Sequence, residues 1–565
     1  MVKNQKKKMV FLAVVLLFLV VLVIGIVKKF TPSKEVKKLT DYYEVGEGEV
    51  LLFMEDGQYY ENGRYVKDHI YLSYDTVVKE INKRFYWDKY EKQLVYTTPT
   101  EIIKIEPGKN SYLVGKNTKK TDYVIVEASE DEVYIALDFI KEYSNIEYEI
   151  FRNPDRVVIN CHWGEEFEYA EVKKSLSVRT SPSIKSPIVA ELQRGELVTF
   201  ANVEAEPVPE DFVKVMTSDG VVGYAKRKYF MDSYKEELKN NYKEPEYKNI
   251  KMPETINMVW HQVTTSSGTD AVEALLKRTK GVNVISPTWF SIKNADGEIT
   301  SLANPAYVEK AHKNGAKVWA LVDDFNTEIN KELLFGRTSS RERLSNELIA
   351  SAIKNNIDGI NIDFEKITPD TAKGYLQFIR ELSVKCRNNG IVLSIDNYVP
   401  APYNTFYDRK EQGIVADYVI CMAYDEHYAG SEESGSVSSI GYVKEAVENM
   451  TSEVPAEKVI MALPFYTRLW KEEAGKITSQ AYSMTNAVKL MQDKGITLEW
   501  KDDVGQYYGE YKEGNAIYRM WLEDEKSYEL KLKESFSQEI AGVSAWKLSL
   551  ENRDIWDVIV KYTKK

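Results

Sequence analysis

The sequence predicts an α/β fold whose carboxy-terminal half is a (β/α)8 TIM barrel with an inserted subdomain between strands 7 and 8. A small β-barrel, an α+β repeat domain and one amino-terminal transmembrane helix precede it. Three observations predict this order. An apolar run follows the amino-terminal lysines, short apolar runs lie between turn residues at 168–232, and from Thr255 eight apolar runs alternate with amphipathic helical stretches. Such alternation is typical of parallel strands joined by helices.

The amino terminus has the pattern of a signal anchor. Residues 10–27 are apolar and uncharged, long enough for a slightly short transmembrane helix, and Lys3, Lys6, Lys7 and Lys8 precede them. We expect residues 1–9 to be a cytoplasmic leader and residues 10–27 a single-pass anchor in the cell membrane, with the rest on the cell-wall side. Residues 24–29 lack a small-residue cleavage site. A cleaved signal peptide remains the alternative, and it would also export the chain.

Residues 70–96 and 133–159 form an internal repeat that aligns without gaps. Asp75 corresponds to Asp138 and Phe85 to Tyr148. Each copy predicts the order strand, short helix, strand, strand. Residues 45–162 as a whole resemble the copper-amine-oxidase amino-terminal-like module of Gram-positive surface proteins, and the resemblance implies no copper. Contact with the cell wall and a simple spacer role both remain open for this domain.

Residues 168–232 contain short strands separated by turn residues, which predicts a small barrel. The stretches LSVRTSP at 176–182 and GVVGY at 220–224 resemble a bacterial SH3-like domain, with Ser177 where the family has Asn. That resemblance implies either peptidoglycan binding or packing between domains. Residues 233–254 are rich in Lys, Glu, Tyr and Asn and contain Pro245 and Pro253, so we expect a polar linker.

Residues 255–560 carry the barrel pattern. The eight candidate strands are 256–262, 283–290, 317–323, 357–365, 391–397, 417–424, 458–465 and 541–548. The active site of such a barrel lies at the carboxyl ends of its strands. The long interval 466–540 between the last two strands predicts the inserted subdomain, which could form one wall of the cleft.

Composition limits the class of function. The net charge of −12 argues against a nucleic-acid partner, which needs clustered Lys and Arg. The 38 Tyr and 10 Trp are more aromatic surface than packing requires, as in carbohydrate-binding proteins. The three Cys are scattered and the five His form no HxxxH or HxH pair, so neither a disulfide framework nor a zinc hydrolase is indicated. No metal or cofactor is expected, and the oligomeric state is unknown.

The fourth candidate strand carries the strongest chemical signal. Side chains alternate along a strand, so Asn361, Asp363 and Glu365 share one face while the apolar residues between them share the other. Burying unpaired carboxylates is costly, and two of them on an otherwise apolar strand therefore indicate a site. The alternative is a carboxylate pair bridged to Arg or Lys at the end of the strand.

Four motifs resemble family-18 glycoside hydrolases. Residues 358–365 read DGINIDFE, similar to the family signature D-G-x-D-x-D-x-E, and residues 422–425 read MAYD, similar to M-x-Y-D. Residues 463–468, LPFYTR, resemble the strand-seven pattern that includes Tyr466 and Arg468, and Trp546 stands where strand eight supplies a tryptophan beneath the sugar. The four matches occur in the order that the barrel requires.

The resemblance implies retaining, substrate-assisted hydrolysis, in which the 2-acetamido group of the substrate replaces a protein nucleophile. It makes Glu365 the acid, Asp363 the group that holds the acetamido N–H, and Tyr424 a hydrogen-bond donor to its carbonyl. These three are the expected catalytic residues. The expected substrate-binding residues are Asn361, Asp425, Trp546, Tyr466 and Arg468. Taken singly, residues such as Tyr424 and Trp546 are more commonly ordinary barrel aromatics, and only their joint placement favours a site.

Two departures from the family pattern stand out. Asn361 replaces the usual Asp, and the third strand, 318–323, lacks the S-x-G-G pattern of many chitinases. In the family the inner Asp shares a proton with the next carboxylate, so we expect Asn361 to donate a hydrogen bond to Asp363 instead. The sequence NIDFE also resembles the branch that contains spore-cortex N-acetylglucosaminidases.

Together these observations predict a membrane-anchored glycosidase that cleaves β-1,4 linkages after N-acetylglucosamine in peptidoglycan. A chitinase or chito-oligosaccharide hydrolase is the alternative within enzymes, because both substrates present the same acetamido group. A non-catalytic chitin- or peptidoglycan-binding barrel is the alternative from another class, although such barrels usually lose the acid that Glu365 provides here. A purely structural wall-attachment protein has the least support.

Overall fold

The computed structural model describes residues 2–201, 208–265 and 268–564. The chain divides into two compact units. The first comprises Met1–Phe85, Ile105–Tyr112 and Thr118–Glu244, and the second comprises Tyr86–Lys104, Leu113–Asn117 and Pro245–Lys565.

The first unit begins with the helix Val2–Phe30. Within it, Gln5–Phe30 is long and apolar enough to cross a membrane, and none of this stretch is buried inside the protein. A signal sequence near an amino terminus has the same length and composition. The helix is therefore either a signal anchor or a signal peptide.

Both copies of the internal repeat contain the predicted strand, helix, strand, strand. The first copy consists of His69–Ser73, Tyr74–Thr76 with the π-turn Val77–Ile81, Tyr86–Asp88 and Gln93–Thr97. The second consists of Val133–Ala136, Leu137–Tyr143, Glu147–Phe151 and Arg156–Asn160. All three strands of the second copy join a seven-stranded sheet that also contains Glu49–Met54, Tyr59–Val66, His69–Ser73 and Val126–Ala128.

A second seven-stranded antiparallel sheet follows. In spatial order its strands are Ile188–Leu192, Leu176–Arg179, Val222–Lys226, Phe212–Thr217, Leu197–Phe200, Glu166–Glu171 and Tyr234–Glu237. The last strand lies inside the predicted linker 233–254, which is therefore shorter than predicted. Its four side chains are exposed, so this edge strand carries no apolar pattern in the sequence. The remaining elements of the first half are Leu39–Tyr43, Ile102–Ile105, Ser111–Val114, Asn117–Lys120 and Arg227–Tyr229.

The second unit confirms the (β/α)8 barrel. Its eight parallel strands are β1 (Ile256–His261), β2 (Val284–Ile292), β3 (Lys317–Asp323), β4 (Gly359–Asp363), β5 (Val392–Tyr398), β6 (Tyr418–Met422), β7 (Val459–Pro464) and β8 (Gly542–Trp546). Each strand pairs with the next, and β8 pairs with β1, which closes the barrel. A short strand, Ile299–Ser301, pairs antiparallel with the last residues of β2.

Helices surround the strands. They are Gly268–Leu276, Pro305–Lys313, Lys331–Gly336, Thr338–Asn355, Pro369–Asn388, Pro402–Tyr407, Arg409–Val415, Ile440–Glu453, Ala456–Lys458, Glu525–Ser535, Phe536–Gln538 and Ile555–Thr563. Ile360, Ile362 and Phe364 belong to the apolar layer between strands and helices. The polar residues between them consequently face the barrel interior, as the alternation predicts.

The interval between β7 and β8 holds the predicted inserted subdomain. It is a five-stranded antiparallel sheet of Tyr466–Glu473, Lys476–Ser483, Glu499–Lys501, Gln506–Glu513 and Ala516–Leu522, with the helix Met484–Asp493. Leu469, Ala487, Met491, Met520 and Leu522 form its own buried core. The subdomain is therefore a packed element rather than an extended loop.

The hairpin Tyr86–Asp88 and Gln93–Thr97 packs with the barrel. Asp88 is fully buried, and its Oδ2 accepts hydrogen bonds from the backbone N–H of Thr338 at 2.6 Å and from its hydroxyl at 2.7 Å. Thr338 begins a long helix, where a carboxylate is favourable because the first N–H groups lack helical partners. The ring of Tyr90 lies so close to Gly336 that a Cβ there would be 2.5 Å from it. The repeat pattern did not indicate this association.

Candidate active site

A cavity of about 880 Å³ opens at the carboxyl ends of the barrel strands. Of the residues predicted for the site, Asp363, Glu365, Tyr424, Asp425 and Trp546 line it. Asn361, Tyr466 and Arg468 are not part of its lining. Further aromatic residues that the motifs did not identify also face it, namely Trp289, Phe325, Tyr398, Tyr403, Tyr428 and Tyr442.

Glu365 lies two residues beyond the end of β4 and is half-buried. Its Oε2 accepts a hydrogen bond from the hydroxyl of Tyr398 on β5. Burial raises the pKa of Glu365, the Tyr398 hydrogen bond lowers it, and the negative charge of Asp324 raises it further. Burial is the largest of these effects, so the carboxyl group retains its proton at a higher pH than an ordinary glutamate.

Asp324 positions the backbone that carries Glu365. It is 1 % exposed, and its Oδ1 accepts the N–H groups of Glu365 at 2.9 Å and Lys366 at 3.2 Å. Lys331 pairs with its other oxygen at 2.9 Å. Sequence reasoning missed this residue. The available signal was its place directly after β3, where strand ends meet at the site.

Asn361 lies beneath the cavity and does not donate to Asp363, so the predicted hydrogen bond is wrong. It is fully buried, and its Nδ2 donates instead to Ser394 Oγ at 3.1 Å and to Asp396 Oδ1 at 2.8 Å. Its Oδ1 accepts from the indole of Trp260 at 2.9 Å and from Ser286 Oγ at 3.2 Å. The partners lie on β1 and β2, across the barrel interior, and on the neighbouring strand β5, and the amide nitrogen is turned toward β5.

Asp363 is buried without a compensating cation among the residues that the structure describes. It is 5 % exposed, and its Oδ1 has no hydrogen-bond partner there. Burial raises the pKa of Asp363 well above its usual value, and the charges of Asp396 and Glu365 raise it further. Burial and the two neighbouring charges therefore both favour the protonated form of Asp363.

Tyr424 and Asp425 follow β6, as the MAYD motif predicts. Burial raises the pKa of Tyr424 well above its usual value, so its hydroxyl remains a donor. Asp425 has a left-handed backbone with φ of 57°, a conformation that Asp adopts more readily than most residues. Its Oδ1 accepts a hydrogen bond from the hydroxyl of Tyr466 at 2.5 Å. Tyr466 therefore lies behind Asp425 rather than at the cavity surface.

Trp546 ends β8, and its ring packs against Trp260 with centroids 5.8 Å apart. It forms part of the cavity lining, where an indole can stack on a sugar. Arg468 lies in the first strand of the inserted subdomain, and its Nη1 donates to Ser479 Oγ at 3.1 Å. The structure thus places Trp546 at the cavity and Arg468 within the subdomain sheet.

One group of three residues with metal-ligand chemistry occurs in the described part of the chain. Ligand atoms of Glu55, Cys161 and His162 lie within 4.8 Å of one another. Glu55 Oε1 already accepts the N–H groups of Cys161 at 3.2 Å and His162 at 2.6 Å, and it contacts His162 Nδ1 at 2.9 Å. These hydrogen bonds join two neighbouring strand ends and account for the close approach.

Comparison with known proteins agrees with this geometry. Residues 258–551 match the family model "Glycosyl hydrolases family 18", and residues 56–159 match "Copper amine oxidase N-terminal domain". The uncharacterized glycosylase YvbX of Bacillus subtilis (strain 168) is 27 % identical over 53 % of this chain and 90 % of its own length. The cortical fragment-lytic enzyme of Bacillus anthracis is 25 % identical over 51 % of this chain and 71 % of its own length.

A solved structure shares the fold. The C-terminal domain of a protein from Desulfitobacterium hafniense DCB-2, named as a candidate chitinase, superposes with a TM-score of 0.50 and 20 % identity. The superposition covers 55 % of this chain and 99 % of that domain. At this identity the likeness shows the barrel fold alone.

Proposed function

Because the chain belongs to family 18 of the glycosyl hydrolases, and is therefore a glycosidase, we propose that it cleaves β-1,4 linkages after N-acetylglucosamine in peptidoglycan. The observation that carries the proposal is the pair Asp363 and Glu365. Both line the cavity, and burial raises the pKa of each. A carboxylic acid that keeps its proton beside an open cavity is what protonation of a glycosidic oxygen requires.

Glu365 is the proposed general acid. It donates its proton to the glycosidic oxygen while the acetamido carbonyl of the substrate attacks the anomeric carbon, and the bond between that carbon and the oxygen breaks. Asp363 holds the acetamido N–H, and Tyr424 donates its hydroxyl to the acetamido carbonyl. Water then attacks the oxazolinium ion with the Glu365 carboxylate as base, so the anomeric configuration is retained. All three side chains line one cavity, which supports this division of roles.

Aromatic rings supply the sugar-binding surface in this proposal. Trp546 and Trp289 line the inner cavity. At its rim the rings of Phe325, Tyr403 and Tyr428 are 48 %, 81 % and 55 % exposed, so they are free to stack on sugar rings. Asp425, held by Tyr466, is the proposed hydrogen-bond partner of the sugar ring. Asn361 supports the site from below and does not contact substrate.

Peptidoglycan is preferred over chitin because of the relatives. The name of the Bacillus anthracis protein describes the lysis of cortical fragments, and the cortex of spores is peptidoglycan. The amino-terminal helix fits the same proposal, since retention of this helix as a membrane anchor would hold the barrel next to the wall. Residues 168–232 would add wall contact if they bind glycan as the SH3-like resemblance implies.

The test incubates the full-length chain in detergent with purified peptidoglycan and, in parallel, with chitin oligomers. Glu365→Gln is the inactive comparison, and Glu328→Gln, an exposed residue, is the matched control. Muropeptides with reducing N-acetylglucosamine, released by the wild type and Glu328→Gln but not by Glu365→Gln, support the proposal. Cleavage of chitin oligomers alone would make the protein a chitinase. If neither glycan is cut and all variants sediment with glycan equally, the protein is a binding module.

A further inference from the structure

The replacement of the usual aspartate by Asn361 leaves Asp363 without its expected partner on β4. A second buried carboxylate stands beside it on the next strand. Asp396 is 3 % exposed and belongs to β5, an otherwise largely apolar strand. None of the sequence motifs or comparisons assigns it a role.

The strand register brings Asp396 level with Asp363. Strands β4 and β5 are parallel, with Asn361 opposite Ser394 and Ile362 opposite Ile395. The next residues along the two strands are Asp363 and Asp396, and neighbouring strands lie about 4.8 Å apart. The bond from Asn361 Nδ2 to Ser394 Oγ shows that this side of β5 faces the barrel interior. Asp396 shares that side because side chains alternate.

Hydrogen bonding distinguishes the two carboxylates. Asp396 Oδ1 accepts from Asn361 at 2.8 Å, whereas Asp396 Oδ2 and Asp363 Oδ1 are both buried without a partner in the described chain. A proton shared by the pair would give each of these oxygens a partner. Two adjacent buried carboxylates cannot both be ionised at moderate cost, so one of them retains a proton.

We propose that Asp396 is a positioning residue that shares the proton of Asp363 and takes it up during catalysis. The role rests on the proposed glycosidase mechanism. In the free enzyme the proton sits on Asp363, because the Asn361 N–H stabilises the charge of Asp396. As the oxazolinium cation forms, the proton moves from Asp363 to Asp396, which leaves a carboxylate beside the cation. The proton returns when water attacks. Asp396 on β5 thus takes the role of the carboxylate that Asn361 replaces on β4.

Electrostatics agrees with this assignment. Burial raises the pKa of Asp396 well above its usual value, and the hydrogen bond from Asn361 lowers it. The charge of Asp396 is the largest effect on the pKa of Asp363 after burial. Burial also raises the pKa of every surrounding phenol, so these groups keep their protons. The other titratable groups that interact electrostatically with the pair are Glu365, Asp323, Asp324, Tyr375, Tyr398, Tyr407 and Tyr424.

The test exchanges the side chains of Asn361 and Asp396. Asp396→Asn keeps the size of the residue and an acceptor for Asn361 but cannot take up a proton. We expect kcat to fall by about 10- to 100-fold while KM stays within about twofold, because the loss concerns the transition state. The double variant Asn361→Asp with Asp396→Asn returns the carboxylate to β4, and we expect kcat within about threefold of wild type. Asp493→Asn, an exposed residue, is the matched control.

A second readout does not depend on activity. Carboxyl-carbon NMR of the full-length protein, with the Asp363 signal identified by its loss in Asp363→Asn, follows the titration of that group. We expect Asp396→Asn to lower the pKa of Asp363 and the double variant to raise it again. An unchanged titration together with wild-type kcat in Asp396→Asn overturns the proposal. A loss of kcat that the double variant does not rescue also overturns it, since it indicates a structural role.

The two readouts also separate this proposal from the proposed function. If the wild type cuts no glycan, the function fails, and the titration of Asp363 still decides whether Asp396 shares its proton. If glycan is cut but the titration is independent of Asp396, the function stands and the proton-sharing role fails.

Discussion

Two of the sets of buried carboxylates in the barrel unit differ in what surrounds them. Between the helices, Glu381 pairs with Arg341 at 3.0 Å, and these side chains are 3 % and 0 % exposed. At the strand ends, Asp363 and Asp396 are as deeply buried, yet no cation in the described residues forms an ion pair with either. Glu381 lies on a helix that surrounds the barrel, whereas Asp363 and Asp396 lie on the barrel strands.

The difference teaches how to separate structural from functional burial. Arg341 donates to Glu381 and also to the carbonyl oxygens of Phe335 and Gly336, so the pair is satisfied on all sides. Asp363 and Asp396 each keep one oxygen without a partner. Compensated charges hold elements together, while uncompensated ones keep protons available for chemistry.

Glu365→Gln should have the largest effect. We expect kcat to fall by about 10²- to 10⁴-fold, because the amide cannot protonate the leaving oxygen. Turnover of a defined muropeptide substrate measures the loss. Binding of glycan and the melting temperature should remain close to those of the Glu328→Gln control. Residual activity above this range would show that another group supplies the proton.

Glu381→Gln should act on stability and not on chemistry. Removing one partner leaves the Arg341 guanidinium buried without its counter-ion, which typically costs about 3–5 kcal/mol. Urea unfolding of the full-length chain, followed by tryptophan fluorescence, measures the change in the barrel transition. The folded variant should retain its kcat. A stable variant with reduced kcat would reverse the distinction between the two sets.

Tyr398→Phe should change the pH dependence. In the proposed mechanism Glu365 acts as an acid, so activity is present below its pKa and is lost as pH rises through it. The Tyr398 hydroxyl lowers that pKa, and its removal should therefore move the alkaline limb of kcat/KM upward by about one pH unit. A pH profile of kcat/KM measures this, with Tyr234→Phe as a control on an exposed edge strand. A shift toward lower pH would contradict the role of the hydroxyl.

Lys104→Gln should have the smallest effect. Lys104 Nζ lies 2.6 Å from Glu342 Oε2, and these side chains are 21 % and 47 % exposed. Water screens such a pair, so its loss should cost about 0.2–1 kcal/mol and depend on salt. The same urea titration at low and high salt measures it. If Lys104→Gln lowers the free energy of unfolding as much as Glu381→Gln does, exposure to water does not distinguish the Lys104–Glu342 pair from the buried Arg341–Glu381 pair.

Much of the barrel was predictable from the sequence because its strands are continuous apolar runs. The predicted fourth strand, 357–365, contains the observed strand Gly359–Asp363. The position of Glu365 and Asp363 at the cavity was also predictable, since the alternation of side chains along one strand decides which face a residue occupies. Tyr424, Asp425 and Trp546 were found through motifs at strand ends, and all three line the cavity.

Contacts between strands were not predictable in the same way. Asn361 donates one of its hydrogen bonds to Asp396, a contact that depends on the register of β4 against β5 and on the direction in which a buried amide turns. Asp324 likewise contacts Glu365 across two strand ends. A single Asp in an apolar run is visible in sequence, but its neighbours are not. Tyr466, which the motif associates with the site, lies outside the cavity lining and contacts it only through its hydrogen bond to Asp425.

The buried carboxylate of Asp88 has a practical consequence for dividing the gene. A fragment that begins near residue 245 would contain all eight barrel strands. It would lack Asp88, and the first turn of the helix Thr338–Asn355 would lose the acceptor of its N–H and hydroxyl groups. The fragment would also lack Tyr90, and the surface around Gly336 that its ring contacts would be uncovered. An expression fragment of the glycosidase therefore needs the hairpin from the repeat domain.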